Sequence, residues 1–142
     1  MAYGFTGFFA APVLAQPAGL PPGAAWREIA SPFTGVGISL PPLLSNTPAR
    51  DEVEALARQL GLDAAERWLY LTYICWAGQI EFVYGLGASA GVPFGPVKED
   101  EQDTVERAYT WLMARFGVSV EDALRFAPFT RGFWGELTGE RR

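Results

Sequence analysis

The longest apolar, aromatic and β-branched run in the chain is Arg67 to Gly87, RWLYLTYICWAGQIEFVYGLG. Its richness in Trp, Tyr, Thr, Ile, Val and Phe, interrupted by Gly78, predicts a β-hairpin turning at Ala77-Gly78. Pairing outward from that turn sets Trp76 opposite Gln79, Cys75 opposite Ile80, Tyr73 opposite Phe82, Leu71 opposite Tyr84 and Leu69 opposite Leu86. Strand side chains alternate, so one face then carries Leu69, Leu71, Tyr73, Cys75, Ile80, Phe82, Tyr84 and Leu86, a set suited to a core. The opposite face carries Trp68, Tyr70, Thr72, Ile74, Trp76, Gln79, Glu81 and Val83, which is mixed. A helix from Ala64 is the competing reading, because Asp63 and Glu66 have capping-box spacing. The β-branched content and Gly78 weigh for the hairpin. Alanine resists positive φ, so the turn is expected to be bulged or one residue longer.

Upstream, Tyr3, Phe5 and Phe9 share one parity with Gly4 and Gly7 between them, which predicts a strand with a bulge or a close backbone approach. Ala11 to Ala24 collects Pro12, Pro17, Gly19, Pro21, Pro22 and Gly23 and reads as a loop. A second extended segment covers Trp26 to Leu40, broken at Ser31-Pro32; Thr34, Val36, Ile38 and Leu40 alternate there with Gly35 and Gly37. A helix follows, with Thr47 as cap, Pro48 at its first position, the stripe Val53, Leu56, Ala57 and Leu60, and Gly61 as its stop. Gly85 to Pro96 reads as a second Gly/Pro-rich loop. The strongest helix is Glu101 to Phe116, with Val105, Ala108, Tyr109, Leu112, Met113 and Phe116 on one face and Gly117 at its end. Ser119 with Asp122 marks a short helix to Phe126.

A faint repeat links Asp51-Glu-Val-Glu with Asp103-Thr-Val-Glu, and Leu60-Gly-Leu-Asp with Phe116-Gly-Val-Ser. The expectation is one α+β domain over residues 1–138 in ββα-ββα order, with 139–142 a frayed tail. Its sheet would have about four mostly antiparallel strands, with two main helices and a short third on one face.

Composition narrows the chemistry. The chain has 142 residues, enough for a proper core, with 49% hydrophobic and 14% aromatic residues. Net charge is −5 with no basic stripe, which disfavours a phosphate-backbone binder. There is no histidine, so the commonest general base, the usual metal ligand and every His-containing triad are excluded. The one cysteine, Cys75, cannot form an internal disulfide and fits a reducing compartment; on the apolar hairpin face it reads as a buried, inert filler. The N-terminal MAYGFTGFFAAPVLAQ has small residues near Ala15, as a secretion signal does, but lacks a basic n-region and is interrupted by Gly4, Gly7 and Pro12. It is read as a strand of a cytoplasmic protein. No apolar stretch reaches membrane-spanning length without Gly, Pro or charge, so no membrane partner is expected.

Three constellations invite a functional reading. Gly85, Gly87 and Ala90 fit a loose dinucleotide fingerprint, but no helix opens at Ala88, and the acids that follow oppose phosphate; no cofactor is expected. Glu99, Asp100, Glu101, Asp103 and Glu106 lack EF-hand spacing and suit either a dipole-favoured helix start or a patch for a basic partner; no metal is expected. Aromatics lie off the core faces: Trp68, Tyr70 and Trp76 beside Glu81 on the hairpin, Trp111 on its helix, and Phe129, Phe133 and Trp134 with Arg131 in the tail. Trp, Tyr and Arg are enriched at binding hot spots, so these residues, with the acids, form the expected partner-binding set; no catalytic residue is assigned. The function expected is a small acidic, non-enzymatic binder of a protein with a basic surface, of the immunity or inhibitor kind. The alternatives are a ligand-binding protein or hydrolase on the Glu81, Tyr70 and Trp76 face, and a homo-oligomer using the aromatics.

Overall fold

The computed structural model describes residues 2–77 and 79–126. The elements are β1 (Ala2–Ala11), β2 (Ala25–Ile29), β3 (Gly35–Ser39), α1 (Arg50–Gln59), β4 (Arg67–Trp76), β5 (Gln79–Ser89), β6 (Val92–Glu99), α2 (Val105–Phe116) and α3 (Val120–Ala123). All strands join one six-stranded antiparallel sheet in the order β2-β3-β1-β4-β5-β6. The α+β class stands, but the expectation of about four strands in ββα-ββα order with helices on one face is overturned. Each half contributes three strands before its helix, and helices cover both faces.

The two faces follow from alternation in β1. Phe8 and Ala10 point into a core with Val36, Ile38, Trp68, Tyr70, Tyr84 and Leu86, roofed by Val53, Leu56, Ala57 and Leu60 of α1. Phe5 and Phe9 point the other way, to Leu69, Leu71 and Val83 beneath Val105, Tyr109, Leu112, Met113 and Phe116 of α2. Both helical stripes expected from periodicity are therefore core.

The central hairpin forms where expected, with Ala77 at φ 52° in its turn, but its register changes inside. Trp76 pairs with Gln79 and Cys75 with Ile80, whereas Ile74 pairs with Phe82, so Glu81 is left as the extra residue of a bulge. Beyond it every β5 side chain swaps faces relative to the expectation. Tyr73 meets Val83, Leu71 meets Gly85 and Leu69 meets Gly87, while Tyr84 and Leu86 join Tyr70. The all-apolar face expected for a single core is divided between two. Cys75 ends up half-buried and free rather than sealed in a core.

The segment expected as a loop from Gly85 is strand. Gly85 and Gly87 lie in β5 on the α2 face, and a Cβ on Gly85 would lie 2.8 Å from Leu112 Cδ1. Gly85 makes room for the helix, and a Cβ on Gly87 would lie 2.1 Å from Trp68 O and 2.8 Å from Phe94 Cζ; neither glycine breaks the strand. A turn at Ala90 (φ 53°) and Gly91 (φ 81°) leads into β6, which carries a second irregularity between Gly85 and Gly87 pairings, at Gly95-Pro96.

Helix α1 starts later than its sequence cap suggests. Ala49 is the N-cap, and its N–H donates to the Glu52 carboxylate at 2.9 Å. Pro48 lies outside the helix, where its carbonyl accepts the Tyr84 hydroxyl. Arg50 then ties α1 to the β5–β6 hairpin, donating to Phe94 O at 2.7 Å while paired with Glu54 at 3.1 Å. Helix α2 ends as expected at Gly117 (φ 109°), where Val118 N–H reaches Met113 O at 2.8 Å. Ser119 caps α3 by accepting from Asp122 N–H at 3.2 Å, and Tyr109 hydroxyl donates to Ala123 O at 2.5 Å. Among the described residues no helix is long and apolar enough to cross a membrane.

Candidate functional site

The acidic residues of the loop between β6 and α2 meet the turn end of the central hairpin. Gln102 Nε2 donates to Gln79 Oε1 at 3.1 Å, fastening that loop to the first residue of β5. Beside this bond lies a depression of about 350 Å³ lined by Gln79, Ile80, Glu81, Asp100 and Gln102. The β5 bulge places Glu81 there: as the unpaired residue, its side chain is exposed at the sheet end rather than held in the ladder.

Glu99 shapes the loop itself. One carboxylate oxygen accepts the N–H groups of Asp100 at 3.2 Å and Glu101 at 3.3 Å. The Glu101 N–H is the largest cause holding this carboxyl below its ordinary pKa, so it stays ionised. Glu101 and Asp103 are exposed on the same loop, and Glu106 is exposed in the first turn of α2. Lys98 Nζ lies 4.0 Å from Asp100 Oδ2, with both side chains more than half exposed; such a pair neutralises little. No three carboxylates among the described residues converge as metal ligands.

Trp76 stands at this end of the sheet, paired with Gln79 and 51% exposed. The structure thus brings Glu81 and Asp100 into one depression, with Trp76 on the strand position paired to its Gln79 and Glu99, Glu101 and Asp103 on the adjoining chain. It separates the remaining expected residues from them. Trp68 and Tyr70 are 7% and 1% exposed, packed edge-on to Phe8 beneath α1. They are core, and burial raises the Tyr70 pKa. An open face combining Glu81, Tyr70 and Trp76 does not exist, because α1 covers it at Tyr70. Trp111 is 40% exposed but lines a different cleft, toward the other end of β5. Arg131 and Trp134, with Phe129 and Phe133, lie outside the described residues.

Sequence reasoning missed that second cleft, about 530 Å³, between the β5–β6 turn and α2. Val92, Pro93 and Phe94 form one wall, and Trp111, Ala114 and Arg115 the other. Arg115 stacks over the Trp111 ring with its guanidinium carbon 4.8 Å from the centroid. The i, i+4 spacing of Trp111 and Arg115 was the available signal; Val92 could not join it while its segment was read as loop.

No protein-family model matches the chain, and no curated protein or solved structure compared with it does. The functional reading therefore rests on the two surfaces.

Proposed function

We propose that the protein is a non-enzymatic binding domain that docks a partner with a basic surface on the corner formed by the hairpin end and the β6–α2 loop. The observation that carries this reading is the half-exposed Trp76 on the hairpin end, whose ladder partner Gln79 shares a depression with the carboxylates of Glu81 and Asp100 and is bonded to the loop that carries Glu99, Glu101 and Asp103. An exposed Trp is a costly surface residue that becomes a strong anchor once desolvated by a partner. Ionised carboxylates around it raise the encounter rate with a basic surface and reject acidic ones. The Gln102–Gln79 bond supports the reading further, since it holds loop and hairpin in one arrangement before any partner arrives and so reduces the ordering cost of binding. Neutralisation of a basic partner, as an inhibitor or immunity protein performs it, is the biological role this arrangement fits.

A tagged pull-down from the cells that express the protein, at low and moderate salt, tests the reading. One basic protein should be retained by the natural chain and lost with Trp76→Ala or with the triple change Asp100→Asn, Glu101→Gln, Asp103→Asn. A partner retained by both variants, or recovery of the chain alone above monomer mass, would contradict it.

A further inference from the structure

The cleft between the β5–β6 turn and α2 has a chemistry opposite to that of the acidic corner. It is separated from the corner by most of β5, roughly 30 Å at about 3.3 Å per residue. Its walls combine apolar side chains, with Val92 66% exposed and Trp111 40% exposed, and polar surface at Ser89 and Arg115, and Arg115 is its charged lining residue among the described residues. The chain carries a net charge of −5, yet Arg115 has no carboxylate within ion-pair reach among the described residues. A second arginine stands close behind in the fold. Arg67 pairs with Ser89, a cleft residue, across the β4–β5 ladder, and its guanidinium lies 5.3 Å from the centroid of Phe116, the neighbour of Arg115. The Arg67 Nε is buried and donates to no acceptor among the described residues. The α2 C-terminus accounts for one favourable cation there, but not for an exposed Trp and Val beside it.

We infer that this cleft binds a small amphipathic carboxylate, its apolar body against Trp111, Val92 and Pro93 and its carboxylate on the Arg115 guanidinium. A stacked guanidinium is held flat by the ring, and its N–H edge stays available for a two-point bond to a carboxylate. The volume of about 530 Å³ lies in the range of small-ligand sites. An extended peptide is the poorer fit. Pro93 and Pro96 have no N–H to give an incoming strand, so β6 is closed to strand addition and leaves only side-chain contacts.

The test is calorimetric titration of the intact chain with indole-3-acetate and with 4-phenylbutyrate, each compared with its primary amide. The same titrations are run on Arg115→Gln and Trp111→Ala, with circular dichroism showing both variants folded. At least one acid should bind about 10-fold or more tightly than its amide, as a charge-assisted two-point bond requires. Arg115→Gln should erase that ratio, and Trp111→Ala should weaken acid and amide together. Equal binding of acid and amide, an unchanged ratio in Arg115→Gln, or no heat at millimolar ligand would overturn the inference. Binding of acetyl-Leu-Trp with its free C-terminal carboxylate, where neither small acid binds, would also overturn it and reassign the cleft to a partner's chain terminus.

Discussion

Gly4 and Gly7 lie three residues apart in β1 and carry opposite consequences. A Cβ on Gly7 would lie 1.8 Å from the Ile38 carbonyl oxygen, backbone that cannot step aside, whereas one on Gly4 meets nothing within 4 Å. Gly7→Ala should lose about 2–4 kcal/mol in urea denaturation, while Gly4→Ala should stay within about 0.5 kcal/mol of the natural chain. Tyr109 makes a second residue-scale prediction. Its hydroxyl donates to Ala123 O in the core beneath α2, so Tyr109→Phe orphans a buried carbonyl and should cost about 1–2 kcal/mol. Parity in the sequence separated Phe5 and Phe9 from their neighbours. It could not show that Trp68 and Tyr70 are as buried as Leu69 and Leu71, because alternation distinguishes two faces without saying whether both are covered.

At the scale of elements, the errors share a cause. The bulge at Glu81 reverses the facing of β5, and nothing local in QIEFVY marks it; the resistance of Ala77 to positive φ points to an irregular turn but not to a bulge four residues on. The second half of β5 is masked in the sequence by Gly85 and Gly87, although Tyr84, Leu86 and Ala88 alternate with them at strand period, and β6 is masked by Gly91, Pro93, Gly95 and Pro96. Gly85 answers to a helix packed on the sheet and Gly87 to the neighbouring strand and Phe94, which is tertiary information. The helices were legible because their stripes and glycine stops are local. Arg50 is the link between the two kinds of element, bonding Phe94 O from the first turn of α1. Arg50→Ala should cost about 1–3 kcal/mol and raise amide exchange in β6 more than in β1 or β4.

For the whole molecule, three buried tyrosines shape the alkaline side of stability. Burial is the largest cause raising the pKa of Tyr70, Tyr84 and Tyr109 above the ordinary 10.0. Below about pH 10 both folded and unfolded chains keep these protons, so the contribution to stability is fully present. Above it the unfolded chain releases protons that the folded chain retains, and stability must fall as pH rises. Denaturation midpoints should decline from pH 10 upward, and Tyr109→Phe should flatten that decline. The α+β class and the place of the acidic loop were readable from the sequence. The six-stranded sheet with helices on both faces, and the joining of Glu81 to that loop, were not, since both depend on strand order and on one bulge.

The most direct measurement is hydrogen–deuterium exchange of the chain with and without the basic protein captured on it. The proposed corner predicts new protection at residues 76–82 and 99–104, with α1 and β2 unchanged. Protection confined to α1, to the β2 edge or to the Trp111 cleft, with the corner exchanging as in the free chain, would contradict it.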